Sequence, residues 1–119
     1  YFYLFNDWVL AFKGPLPFTF SGGFCYAIQT VSSDLSAAET TSCVIFADAS
    51  EREVTIVLPD AVSAPGNCLM IKKIDDSENQ VVITPVEGQT IEGAGSVVLT
   101  ERWKYCILIS DGANWTVWS

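Results

Sequence analysis

The sequence predicts an all-β domain: a small antiparallel β-sandwich, jelly-roll-like or barrel-like in form. Three observations predict it. Short apolar runs recur at residues 43–47, 54–58, 68–74, 80–84, 97–100 and 104–110, with turn residues between them. Asp111-Gly112 lies between two such runs, and Gly accepts φ > 0 without steric cost, so the pair signals a hairpin. No heptad and no long amphipathic stretch competes with this reading.

Residues 1–20 are compositionally distinct. YFYLFNDWVLAF holds six aromatics and one charged residue, then meets Pro15 and Pro17, which oppose helix and favour an extended path. Ser21-Gly22-Gly23 reads as a hinge. The expected organisation is an apolar anchoring segment and hinge over 1–23, with Phe2, Leu4, Phe5 and Trp8 as anchoring residues, and a β-sandwich module over 24–119. Within the module, 24–31 is a strand and 32–41 a polar loop or at most one helical turn. Residues 43–47 form the next strand and 49–52 the turn to 54–58, which Pro59-Asp60 closes. Pro65-Gly66 marks a connection. Strand 68–74, a polar hairpin loop at 75–79 and a returning strand 80–84 follow. Residues 87–95, with three glycines, are an irregular excursion before 97–100 and the final hairpin of 104–110 with 113–118.

Composition narrows the function classes. The chain has 119 residues, one domain's worth, able to bury roughly two thirds of its unfolded surface. Half of the residues are hydrophobic and mean hydropathy is +0.32, a surplus that points to apolar surface covered by another chain. Fourteen acids against six bases give a net charge of −8. Such a chain lacks the basic stripe that nucleic acid or an anionic membrane requires. No run reaches the ~18 apolar residues of a membrane-spanning helix, so no membrane insertion is expected. Cys25, Cys43, Cys68 and Cys106 are widely spaced, each in or beside an apolar run. With no C-x-x-C and no His, a zinc site is not expected, and the cysteines read as reduced, buried small hydrophobes.

Strand alternation assigns faces. Val54, Ile56 and Leu58 share one face of their strand. In 104–110, Cys106 and Leu108 share one face while Tyr105, Ile107 and Ile109 share the other. Both faces of that strand are apolar, the pattern of a strand covered on both sides. Tyr105, Ile107 and Ile109 are therefore the expected oligomer interface.

The run from VTIVLP through PG, IKK, VVI and TIEG to SDGANW resembles a β-structured module found near the C-terminus of bacteriophage tail-fibre and other virion-fibre proteins. The matching residues are 54–59, 65–66, 71–73, 81–83, 90–93 and 110–115, and the likeness extends over about 26–118. The resemblance implies a homotrimeric β-rich fibre segment or knob in the virion, in contact with other virion proteins, and does not imply one ligand; attachment to a host surface glycan is the candidate role of such a displayed β surface. The chain departs from the pattern at Val57 and Ile107, where small polar residues are commoner, and at the bulkier Arg102-Trp103-Lys104. These changes make the second face more apolar and suit a module packed into a larger shell or shaft. Two other readings stand beside it: a capsid-associated decoration protein, and a secreted carbohydrate-binding domain.

Catalysis is not expected. Without His, neither a Ser-His-Asp nor a Cys-His arrangement exists within the chain. Glu87, Glu92 and Glu101 are the acids a glycosidase would need, but short strands offer little depth for a cleft. Asp75, Asp76 and Glu78 lack EF-hand spacing and read as a solvated loop, so no metal and no cofactor are expected. Gly93-Ala94-Gly95 lacks the Lys and helix of a phosphate loop, and the Asn114-Trp115-Thr116 sequon is read as part of the hairpin. Trp115 is expected in the core. Trp103 and Trp118 are the candidate ligand-stacking residues.

Overall fold

A computed structural model of the chain describes residues 2–4, 10–12, 27–39 and 43–118, the first two stretches and Glu39 by backbone alone. At the N-terminus, β1 (Phe2–Leu4) and β2 (Leu10–Phe12) pair antiparallel, Phe2 opposite Phe12. The anchoring role of the Phe2 and Leu4 side chains, all of Phe5 and Trp8, and the hinge at 21–23 lie outside the described residues.

From Ile28 the chain winds back and forth between two sheets. Strand β3 (Ile28–Val31) lies in the first sheet and β4 (Leu35–Ser36) in the second, followed by a 3₁₀ turn at Ala37–Glu39. Strand β5 (Val44–Ala47) returns to the first and β6 (Val54–Val57) to the second. Strand β7 (Cys68–Lys73) and β8 (Val81–Thr84) repeat the circuit. Strand β9 (Val97–Leu99) then turns back on β8, and β10 (Tyr105–Ser110) and β11 (Trp115–Trp118) close the first sheet as a hairpin. The strand orders are β11-β10-β7-β5-β3 and β4-β6-β8-β9.

The all-β, two-sheet expectation holds, but the sheets are mixed rather than antiparallel. Strands β3, β5 and β7 run parallel, as do β4, β6 and β8; only β8–β9, β7–β10 and β10–β11 are antiparallel within these two sheets. The physical reason is the crossing path. Strands that leave and re-enter one sheet by way of the other arrive in the same direction, whereas a tight hairpin reverses it. Residues 75–79 are therefore not a hairpin loop between paired strands; they form a corner between sheets. Residues 49–52 are likewise a corner. Strand β4, two residues long, falls within the stretch expected to be a loop. The final hairpin occurs where expected, Ser110 opposite Trp115, with a four-residue loop rather than a two-residue turn. Asp111 Oδ1 accepts the amides of Ala113 (2.9 Å) and Asn114 (2.8 Å), and Gly112 takes φ 95°.

The core fills the space between the sheets. Ile45, Ile71 and Leu108 from one sheet meet Val54, Ile56, Val81 and Ile83 from the other, all inaccessible to solvent. Each such side chain contributes roughly 1.5–3 kcal/mol relative to exposure. Trp115 is wholly buried, and its indole Nε1 donates to the Pro59 carbonyl at 3.2 Å. Ser110, also buried, donates from Oγ to the Ala61 carbonyl at 2.7 Å. Among the described residues no buried side-chain nitrogen or oxygen lacks a hydrogen-bond partner.

One corner is held by charge. Lys73 sits on the inward face of β7 with 0% exposure, and its Nζ donates to Asp75 Oδ2 at 2.6 Å and to the Asp75 carbonyl at 3.2 Å. The same carboxylate accepts the amides of Ala49 (2.7 Å) and Ser77 (3.0 Å) and the hydroxyl of Ser77. Asn79 Nδ2 donates to the Ala49 carbonyl at 2.8 Å. Asp75 is thus buried structure, and the expectation of a solvated loop is corrected there. Burial alone would raise its pKa. The hydrogen bonds from Lys73, Ser77 and Ala49 outweigh burial and hold the carboxyl well below the usual carboxylate range.

Candidate functional site

Strand pairing converts the alternation of β3, β5, β7, β10 and β11 into an outer face. Ile28 lies opposite Val44, Val44 opposite Met70, Met70 opposite Ile107, and Ile107 opposite Trp118. One apolar row therefore crosses all five strands. Beside it run Thr30, Phe46, Lys72 and Tyr105, and on the other side Cys68, Ile109 and Thr116. Ile28 and Trp118, at the two edges, are each 60% exposed, and Tyr105 is 48% exposed; Val44, Phe46, Met70, Ile107 and Ile109 are half-buried by their neighbours alone. Val44, Phe46, Met70, Tyr105 and Ile107 line a shallow depression of about 260 Å³, with Lys72 at its border.

Tyr105, Ile107 and Ile109 share this outer face, while Cys106 and Leu108 point into the core at 3% and 0% exposure. Trp118 belongs to the same row as Ile107. Ile28, Val44, Phe46 and Met70 complete the face; alternation on their own strands was the signal, and the register that unites them was not visible in it.

Trp103 stands apart, on the turn before β10. The Lys104 amide donates to the Glu101 carbonyl at 3.2 Å, closing a turn whose third residue, Trp103, has φ 70°. That position ordinarily takes Gly or Asn, and a bulky residue there costs of order 1–3 kcal/mol. The conformation is held by the Trp103 amide donating to the Lys73 carbonyl (2.7 Å), the Lys73 amide donating to the Lys104 carbonyl (2.9 Å), and Arg102 Nε donating to the Ile74 carbonyl (3.0 Å). The Arg102 guanidinium lies 4.5 Å from the Trp103 ring centroid, and Lys72 Nζ lies 5.5 Å from that of Tyr105. Trp103 nevertheless remains 55% exposed.

The remaining candidates have structural tasks. Glu92 and Gly93 both take positive φ in a tight turn in which Ile91 and Ala94 exchange two backbone hydrogen bonds of 2.9 Å. The Glu92 carboxylate accepts the Val117 amide at 3.1 Å. Asn114 Oδ1 accepts the Thr90 amide at 2.9 Å, so the sequon's asparagine ties the 85–96 excursion to the hairpin. Glu101 lies 3.9 Å from Lys104 Nζ on the exposed turn. Glu87 is exposed, on the loop after β8. Cys43, Cys68 and Cys106 are free thiols, while Cys25 lies outside the described residues. Burial pushes the Cys106 thiol up to about 12, and burial followed by the neighbouring Cys43 raises that of Cys68. Among the described residues no group of three His, Cys, Asp or Glu side chains is placed to hold a metal ion. No helix among them is long and apolar enough to cross a membrane.

Neither a scan against protein-family models nor a search of curated proteins finds a match to this chain.

Proposed function

We propose that the chain is a non-enzymatic structural module of a virion, part of a fibre or surface appendage, assembled as a homotrimer through the outer face of the five-stranded sheet. The observation that carries the reading is the uninterrupted apolar row Ile28–Val44–Met70–Ile107–Trp118. Five strands about 4.8 Å apart and about five residues long make a footprint of roughly 24 by 17 Å, or about 400 Å². That lies within the 300–600 Å² of the largest patch a typical monomer exposes, a patch that is often functional. It is about half of the ~800 Å² that each partner buries in a standard interface. The face therefore needs a second contact, and the aromatic-rich residues 1–20, which precede β3 in the sequence, are its source in this proposal. The resemblance to fibre modules supplies the virion and the number three; the row supplies the need for a cover.

A decoration protein bound to a capsid surface is the second reading, favoured by the same aromatic excess, which would then seat in the shell. Sedimentation equilibrium of the isolated protein separates the two. The fibre reading expects a species of three times the 13.0 kDa chain mass. A monomer that binds only to assembled shells would support decoration and refute the trimer.

A further inference from the structure

Among the described residues, the cations outside the Arg52–Asp34 and Lys73–Asp75 pairs lie at one corner. Of the chain's six Lys and Arg residues, Lys13 lies outside the described residues, Arg52 pairs with Asp34 at 3.3 Å, and Lys73 is buried against Asp75. The other three, Lys72, Arg102 and Lys104, gather where the end of β7 meets the turn before β10. Two aromatic rings stand among them, Trp103 and Tyr105, each with a cation over it. Glu101 offsets part of Lys104's charge at 3.9 Å, and Asp75 and Asp76 follow Ile74, the carbonyl of which accepts Arg102 Nε.

Trp103 is the informative residue. Its backbone sits at φ 70°, where Gly would be unstrained, and its side chain stays more than half exposed. The ring thus gains little core burial in return for the strain it imposes. Strained backbone at an exposed, fully hydrogen-bonded turn is a feature that accumulates at ligand sites. What the Trp adds over Gly is a flat apolar ring beside the Arg102 guanidinium, which is itself fixed by Nε on the Ile74 carbonyl. A guanidinium beside that ring is a fork of N–H donors of the kind that recognises planar or tetrahedral oxyanions.

We infer that the Trp103 corner binds an anionic sugar, a pyranose whose apolar face packs against the exposed indole and whose carboxylate or phosphate is held by the Arg102 guanidinium beside it. The sugar is the ligand that matches both halves of the corner. A neutral glycan leaves the guanidinium unused, and a small inorganic anion leaves the ring unused. The inference deepens the proposed surface role and rests on it for the ligand being presented by a host cell. Its chemistry stands independently of the oligomeric state.

The test is titration of the full chain with 3′-sialyllactose, a hyaluronan tetrasaccharide and glucose 6-phosphate, with lactose as neutral control, followed by the indole N–H signals in two-dimensional NMR. The expected result is a saturable shift of the Trp103 signal with at least one acidic sugar, at an affinity about tenfold or more above lactose. The carboxylate and phosphate probes distinguish the two sources of charge. Arg102→Gln should weaken binding about tenfold. Trp103→Gly should abolish it while leaving the thermal midpoint unchanged or higher. No shift with any acidic sugar, or equal binding of lactose, overturns the inference. So does a Trp103→Gly protein that melts lower than wild type, since the ring would then be structural. Acidic-sugar binding by a protein that sediments as a monomer would refute the trimer and leave this site standing.

Discussion

The Lys73–Asp75 corner allows a quantitative prediction because its two partners are not equivalent. Replacing Asp75 with Ala leaves a fully buried ammonium with one carbonyl acceptor, and deprives the Ala49 and Ser77 amides of theirs. Breaking a buried pair this way costs about 3–5 kcal/mol. Replacing Lys73 with Met leaves the carboxylate still accepting from Ala49, from the Ser77 amide and from the Ser77 hydroxyl, and supplies an apolar side chain of similar length. That variant should lose clearly less, about 1–3 kcal/mol. Against a total stability of 5–15 kcal/mol, Asp75→Ala is a large fraction. Urea unfolding at pH 7 gives both values. The pH dependence supplies a second arm. The folded-state pKa of Asp75 is depressed below the unfolded value of about 3.9. Its contribution is therefore full above pH ~4 and is lost as pH falls toward the folded pKa. Wild type should lose up to ~1.4 kcal/mol per pH unit over that window from this group, and Asp75→Asn should lack that slope. Equal costs for Asp75→Ala and Lys73→Met, or an unchanged acid slope in Asp75→Asn, would refute the account of this corner.

Two further predictions follow from the same geometry. A thiol reagent at pH 8 should leave Cys106 unmodified in the folded protein, since burial holds it near 12, and should titrate all four cysteines once the unreduced protein is denatured; two or fewer would indicate disulfides. Deleting residues 1–20 should leave a β domain that is folded by circular dichroism but dissociates at lower dilution than the full chain, because the outer face alone provides about half of a standard interface; an unfolded truncation would make the segment part of the core.

Much of the strand layout was legible in the sequence because alternation and turn residues are local signals. Val54, Ile56 and Leu58 face inward as their spacing implies, Trp115 is core, and Tyr105, Ile107 and Ile109 share the face opposite Cys106 and Leu108. Strand direction was not legible. A parallel coil and an antiparallel meander share the same alternation and the same turn residues, and differ in which sheet each strand enters after its corner. The apolar faces of 104–110 gave no hint of it, since β10 pairs antiparallel with both of its neighbours. Asp75 was misread for a related reason. In sequence it sits among Asp76, Ser77 and Glu78 and reads as solvated; Ala49 meets it because two corners stack, and Lys73, two residues before it, faces inward at the end of β7. The Ile28–Trp118 row likewise depends on four pairings, of which only Ile107–Trp118, in the final hairpin, joins strands consecutive in the chain.

The central claim is that a neighbouring subunit covers the outer face, and Ile107 at the middle of the row reports on it. Ile107→Glu places a carboxylate where a packed interface would strip its hydration without a partner, whereas Cys106→Glu places one in the core between the sheets. Light scattering and unfolding measurements on both variants decide the matter. The account predicts that Ile107→Glu yields a folded monomer and Cys106→Glu an unfolded chain. An Ile107→Glu protein that keeps the wild-type mass and stability would put the face in solvent and contradict it.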